Sequence, residues 1–497
     1  MKNYKVNLAT ILAACAIMAS CGDNNDEPKP DTPVVPDQPQ TGDVRVLTTT
    51  ANRAKDLTQS WVEFSKADNM SPSTIRIKPD QTFQTIDGFG AAITGSTAYN
   101  LLKMNADDRA KFLKETFSPS EGYGMSYVRI PIGASDFSLS DYTLCDTEGI
   151  ENFALTDEET KYIIPVMKEI LAINPDVKVM SAPWTAPRWM KVNNLTELKP
   201  HNSWTGGQLN PKYYQDYATY FVKWIKAFEN EGIKIYGMTP QNEPLNRGNS
   251  ASMYMGWEEQ RDFVKNALGP KFDQEGIKTK IYAFDHNYNY DNIADQQSYP
   301  TKIYADKDAA KYFAGAAYHN YGGNMDELKN IHAANPEKEL VFTESTAGDW
   351  NDGSNLQKRL VDDMEQITLG PVNRWCRGSI IWNLMLDSKR GPYRPGGCST
   401  GFGAVDIADD YKTIKRNSFY YIMAHIAVAA KPDAVRIGTD GFTTNGLTYT
   451  AFKNTDGSFA LVLSNNKSED IKATVDDGVH HFSVTVPANG IVSTSWK

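Results

Sequence analysis

Lys234–Ile235–Tyr236–Gly237–Met238–Thr239–Pro240–Gln241–Asn242–Glu243–Pro244 reads as a short buried strand that runs straight into an amide, a carboxylate and a proline. A second stretch has the same form. Lys338–Glu339–Leu340–Val341–Phe342–Thr343–Glu344–Ser345 is an apolar run that ends in a glutamate. Glu243 and Glu344 lie far apart in the chain, so only the fold can bring them together. Read alone, Asn242–Glu243–Pro244 also fits a helix start, with Asn as N-cap and Pro in the first turn. The pattern of the neighbouring segments decides between the two readings.

Between about residues 81 and 430, apolar β runs alternate with helical stretches, which predicts βα units around a parallel sheet. Eight runs qualify, and each ends in polar or conformationally special residues. They are Thr85–Gly90, Met125–Pro131, Val177–Trp184, the Glu243 run, Lys280–Asn287, Gly315–Tyr321, the Glu344 run and Gly378–Asn383. Helices are predicted over Glu158–Asn174, Tyr213–Glu231 and Leu356–Leu369. The second of these carries Tyr217, Tyr220, Phe221, Trp224, Ile225 and Phe228 on one stripe. Eight βα units make a TIM barrel, with its active site at the C-terminal ends of the strands. Helix capping alone does not explain polar residues at that end of all eight runs.

The flanks read differently. Val44–Thr50 and Thr74–Ile77 are strand-like, and from about Val435 short β runs alternate with the turns Asn454–Gly457 and Asp476–Gly478. The expected fold class is therefore an α/β (β/α)8 barrel with a β-sandwich built from both chain ends. The expected segments are N-terminal sandwich strands at 44–80, the barrel at 81–430 and the C-terminal sandwich at 431–497.

Residues 1–43 read as targeting sequence. Lys2 and Lys5 precede an apolar run, Leu8–Ala19, that is too short to span a bilayer. The run ends in Met18–Ala19–Ser20–Cys21, which resembles a bacterial lipobox. The expectation is a signal peptide at 1–20, lipidation at Cys21 and a Pro-rich tether to residue 43. At about 3.1 Å per residue, that tether reaches on the order of 60 Å. The predicted location is the outer membrane, with the protein exposed at the cell surface and touching the membrane only through its lipid; an ordinary signal peptide is the alternative. Cys145, Cys376 and Cys398 then form an odd set, read as buried thiols with Cys376–Cys398 as the one candidate bridge. No spacing points to a metal site, and no metal or cofactor is expected. A net charge of −10 argues against a nucleic-acid partner.

The strand-end residues supply a chemistry. Paired carboxylates can act as acid/base and nucleophile at a glycosidic bond. Asn242 is placed to bond a sugar 2-hydroxyl, and Arg129 to keep Glu344 ionised. Trp184 and Trp382 read as a sugar platform or as barrel-top packing. His319 and Tyr321 end the sixth run.

Together these residues resemble glycoside hydrolase family 30 of clan A, the family of lysosomal glucosylceramidase and microbial β-1,6-glucanases. The resemblance rests on Asp87–Gly90, Arg129–Ser138, Ala182–Lys191, Gln241–Pro244, His319–Tyr321, Thr343–Ser345 and Trp382–Leu384, in family order. It implies a retaining mechanism with Glu243 as acid/base and Glu344 as nucleophile. Arg129, Asp136, Trp184, Asn242, His319, Tyr321 and Trp382 would line the glycone subsite. Many members carry Thr-Asp where this chain has Thr94–Gly95. The implied substrate is a β-glucan, most simply one cut internally at β-1,6 linkages. An exo-β-glucosidase, a glucosylceramidase-like enzyme, a galactanase, a xylanase and a non-catalytic glycan-binding lipoprotein are the alternatives.

Overall fold

A computed structural model describes residues 40–66, 71–288 and 293–497. The signal peptide, Cys21 and nearly all of the tether lie outside the described residues. The eight runs form one parallel sheet. Its strands are β1 (Gly88–Ala91), β2 (Tyr127–Pro131), β3 (Lys178–Ala182), β4 (Gly237–Met238), β5 (Lys280–Asn287), β6 (Phe313–His319), β7 (Glu339–Glu344) and β8 (Cys376–Ile381). Hydrogen bonds run in the order β1-β8-β7-β6-β5-β4-β3-β2. A parallel bridge between Ala92 and Arg129 joins the two ends, so the barrel closes.

Side chains fill the barrel in layers, as a small barrel requires. At its N-terminal mouth, Asp87 pairs with Lys178 and Arg377, and Glu339 pairs with Lys280 and Arg377. Above lies an apolar layer of Tyr127, Met180, Tyr282, Ala317, Val341 and Ile380. Gly237 is required there, because a Cβ would stand 2.8 Å from the Tyr282 ring. The polar residues of the site form the top layer. The predicted helices appear as Tyr214–Asn230, Ile164–Ile173 and Leu356–Asp363. The second is preceded by a π-turn at Glu159–Ile163, and the third is followed by one at Met364–Leu369.

Both flanks join one nine-stranded sheet. Its order is Thr58–Val62, Val44–Thr50, Gly490–Trp496, Phe459–Asn465, Leu447–Lys453, Val435–Gly441, Thr74–Thr85, Ile471–Asp476, His481–Val486. The sheet curls over itself, since a bridge from Ser65 to His481 brings its two edges together. Val44, Val46, Ile75, Leu461, Val475, Phe482 and Trp496 share the core between the layers. The helix Ser418–Ala429 docks this module on the barrel. Its buried His425 bonds Ser493 at 2.8 Å through Nδ1 and Thr49 at 2.9 Å through Nε2.

Cys145, Cys376 and Cys398 are all free thiols, so the candidate bridge is not formed. Cys376 opens β8 at the far end of the barrel, whereas Cys398 packs against the Trp184–Trp382 cluster at the top. Among the described residues, no helix is long and apolar enough to cross a membrane.

Candidate active site

The C-terminal ends of β2 to β8 bring the predicted residues together. Arg129, on β2, is fully buried and lies at the centre. A buried guanidinium is costly unless it is paired and hydrogen-bonded. Its Nη1 donates to Glu344 Oε2 at 2.6 Å. Its Nη2 donates to Asn242 Oδ1 at 2.7 Å and to Asp285 Oδ2 at 2.8 Å. The rings of Trp184 and Trp382 lie 5.1 and 5.4 Å from the guanidinium carbon, within cation–π range.

Glu243 and Glu344 face each other. With His319 they form a triangle in which one oxygen or nitrogen from each residue lies within 4.8 Å of the others. Glu243 sits beyond the short β4 with φ 44°, and Asp285 and Asn383, at the ends of β5 and β8, have φ 73° and 64°. Left-handed backbone at non-glycine residues costs free energy and collects at functional sites. The Glu243 N–H donates to the Asp285 carbonyl at 2.9 Å, which pins this conformation.

Asp285 is the second hub. It is fully buried and accepts from Arg129, from Thr239 Oγ1 at 2.6 Å, from Thr343 Oγ1 at 2.6 Å and from His319 Nε2 at 3.0 Å. Burial pushes its carboxyl up, but Arg129, His319 and Thr239 together hold it well below the usual carboxylate range. Burial pushes His319 down, yet Glu344, Asp285 and Glu243 raise it to about 9. His319 is thus an imidazolium at neutral pH, with Nδ1 3.5 Å from Glu243 Oε1.

Arg129 does favour ionised Glu344, but it does not act alone. Burial does raise Glu243, but His319, His286 and Asn246 outweigh it and hold Glu243 at about 2. Burial also raises Glu344; His319 and Arg129 oppose that, and the net direction is upward. The sequence reading missed the cation beside Glu243. Arg129 and His319 lie among the carboxyls of Asp285, Glu243, Glu344 and Asp136, which act on one another by charge. With an imidazolium in the triangle and a guanidinium against Glu344, the donor set does not suit a divalent cation.

The remaining predicted residues also converge here. The Tyr321 hydroxyl donates to Glu344 Oε1 and lies 3.0 Å from both that atom and Thr346 Oγ1. Trp382 Nε1 donates to Asp136 Oδ1 at 3.1 Å. Burial and the Glu344 charge push Asp136 up to about 7. The two tryptophans do not lie open as a platform. They stack on each other at 5.0 Å and keep only 3% and 1% exposure, so they wall the site.

Sequence reasoning gave no role to Asp285, although its place at the end of a β run was the same signal that marked the others. It also missed Thr239, Thr343, Asn246 and Asn249. Both asparagine amides donate to Glu243 Oε2 at 2.8 Å, from a loop with no periodic pattern.

Comparison with known proteins fits this geometry. The model of the glycosyl hydrolase family 30 TIM-barrel domain matches residues 86–428, and that of the family's β-sandwich domain matches 433–494. An endo-1,6-β-D-glucanase, BGN16.3, of Trichoderma harzianum is 32% identical over 86% of this chain and 87% of its own. Mouse lysosomal acid glucosylceramidase is 26% identical over 85% of this chain and 83% of its own. The solved structure of the endo-β1,6-glucanase BT3312 is 63% identical, with a TM-score of 0.90, covering 92% of this chain and 99% of that one. A barrel whose strand ends converge on Glu243 and Glu344, continuous with a two-layered sheet from both termini, thus belongs to glycosyl hydrolase family 30.

Proposed function

We propose that this protein is a retaining endo-β-1,6-glucanase, with Glu344 as nucleophile and Glu243 as acid/base. The observation that supports the mechanism is that one oxygen of Glu243 and one of Glu344 lie within 4.8 Å of each other. Retaining enzymes place the pair about 5–5.5 Å apart, whereas inverting enzymes need about 6.5–9.5 Å to admit a water. The substrate class follows from the likeness to the two β-1,6-glucanases.

In this reading Glu344 attacks the anomeric carbon while Glu243 protonates the departing glycosidic oxygen. Arg129 and Tyr321 aim the Glu344 oxygens. Asn242 spends its Oδ1 on Arg129, so its Nδ2 is the group left for a sugar 2-hydroxyl. Positive charge developing at the anomeric carbon favours ionised Glu344, and the leaving oxygen takes the proton from Glu243 as its own charge grows. In the second half, Glu243 takes a proton from water, which opens the glycosyl ester.

The reading includes lipidation at Cys21, supported by Met18–Ala19–Ser20–Cys21. Fractionation of cells expressing wild type and Cys21→Ala tests it: only wild type should follow the membrane. For the activity, purified enzyme is given β-1,6-glucan. The expected result is short β-1,6-gluco-oligosaccharides from the earliest times, formed first as β-anomers. Glucose as the sole early product would overturn endo action, and α-anomers would overturn retention.

A further inference from the structure

Glu243 has two oxygens, and they live in different surroundings. Oε2 accepts from Asn246 Nδ2 and from Asn249 Nδ2, each at 2.8 Å. A carboxylate oxygen has two lone pairs, so two N–H donors fill it. Among the described residues Oε1 meets His319 Nδ1, at 3.5 Å, longer than a good hydrogen bond. The loop itself fixes the sense of the first amide. Asn246 Oδ1 accepts from the Gly248 N–H at 2.9 Å and the Asn249 N–H at 3.2 Å. Its NH2 is therefore the end turned to Glu243. The loop is held in turn by the Asn246 N–H on the Glu243 carbonyl at 2.9 Å. Asn249 is exposed at the mouth of the site, and its side chain makes this contact from the solvent side.

We propose that Asn246 and Asn249 are positioning residues that dedicate Oε2 of Glu243 to the loop and leave Oε1 as the oxygen that carries the catalytic proton. The inference rests on Glu243 being the acid/base. In the first half-reaction the Oε1–H bond breaks as the leaving sugar gains an O–H. In the second, an O–H of water breaks and Oε1–H forms again. Oε2 stays bonded throughout, so the carboxyl does not rotate between the steps. His286, His319, Glu344, Asp136 and Tyr321 also act on Glu243 by charge, and all come from other strands or loops. The two amides are the contribution of its own loop.

Two substitutions test this without dismantling the loop. Asn249→Ala removes one donor, and Asn246→Asp keeps the acceptor for Gly248 and Asn249 while replacing the donor with a carboxylate. The readouts are kcat/KM against leaving-group acidity on aryl β-gentiobiosides, and the alkaline limb of the pH profile. N–H donors favour the ionised carboxyl, so their loss moves the alkaline limb up, and further for Asn246→Asp than for Asn249→Ala. For Asn249→Ala we expect a loss of about 10-fold with an alkyl-like leaving group and under about 2-fold with dinitrophenolate, a part of the roughly 10²–10⁴-fold that a general acid supplies. An equal loss on all leaving groups, with the limb unmoved, would make the asparagines merely structural and overturn the proposal. Glu243→Gln is the control. If it keeps the leaving-group dependence and the limb of wild type, the acid/base assignment itself fails, which is a different result.

Discussion

Glu158 fills the space in front of Gly95. A Cβ added at position 95 would stand 1.8 Å from Glu158 Oε1 and 2.4 Å from its Cδ. The other oxygen, Oε2, accepts from the Leu139 N–H at 2.9 Å, three residues beyond Asp136 on the same loop. This chain thus brings the carboxyl of Glu158, the first residue of the helix predicted over Glu158–Asn174, into the space that a side chain at position 95 would take.

The pair should behave as a compensated exchange. Gly95→Asp alone should lose about 1–3 kcal/mol of stability by overpacking. Gly95→Asp combined with Glu158→Ala should recover most of it, because contacting sites couple by about 0.5–3 kcal/mol. Urea unfolding of the four species measures the coupling, and additive losses would show that the two positions do not share one space.

His425 makes the joint between barrel and sandwich sensitive to acid. Burial alone pushes it down to about 3. Below about pH 6.5 the unfolded chain gains a proton that the folded chain refuses, so stability falls as the pH drops from 6.5 toward 3. Above 6.5 this residue has no effect on the slope. Its share approaches about 1.4 kcal/mol per pH unit within that window. His425→Gln should be less stable than wild type at pH 7 yet lose less on going to pH 4.5, as read by thermal unfolding at both values.

Trp350 is the candidate for holding a longer sugar chain. Among the described residues, the large apolar side chains left exposed are Leu198, Tyr321, Trp350, Tyr393 and Val479. Tyr321, Trp350 and Tyr393 lie on the loops after β6, β7 and β8. The Trp350 ring lies against Gly348, where a Cβ would come within 2.1 Å of it. The neighbouring Asp349 pairs with Arg390 at 2.5 Å, which ties the β7 and β8 loops together. Trp350→Ala should lower kcat/KM on β-1,6-glucan up to about 10-fold, in line with about 0.5–1.5 kcal/mol for an aromatic contact, and change an aryl β-gentiobioside less than 2-fold. Equal effects on both substrates would place the ring outside the polymer path.

Much of the architecture was legible because strand ends in a parallel barrel must be polar at one mouth. Arg129, Asn242, Glu243, His319 and Glu344 all stood out by that rule. Asp285 obeyed it too, but a single Asp has no partner visible in sequence. Its role comes from Arg129, His319, Thr239 and Thr343, which only the closed barrel brings near. The fourth strand shrank to Gly237–Met238, because Pro240 removes a donor two residues on. Asn246 and Asn249 lie in a loop, where no periodicity marks a side chain. The sequence marks Arg129 for Glu344 but not His319 for Glu243, because only the closed barrel brings that imidazole beside the carboxyl.

The division of labour between the two carboxylates is the centre of the account, and one measurement reaches it most directly. Glu243→Gln and Glu344→Gln are each mixed with dinitrophenyl β-gentiobioside, quenched on the millisecond scale and weighed intact. A dinitrophenolate leaves without a proton, so Glu243→Gln should form the glycosyl-enzyme and stall with the mass of one added gentiobiosyl group, since no base activates water. Glu344→Gln should show no adduct at any time. An adduct on Glu344→Gln, or none on Glu243→Gln while that variant still cuts β-1,6-glucan at the wild-type rate, would contradict the assignment.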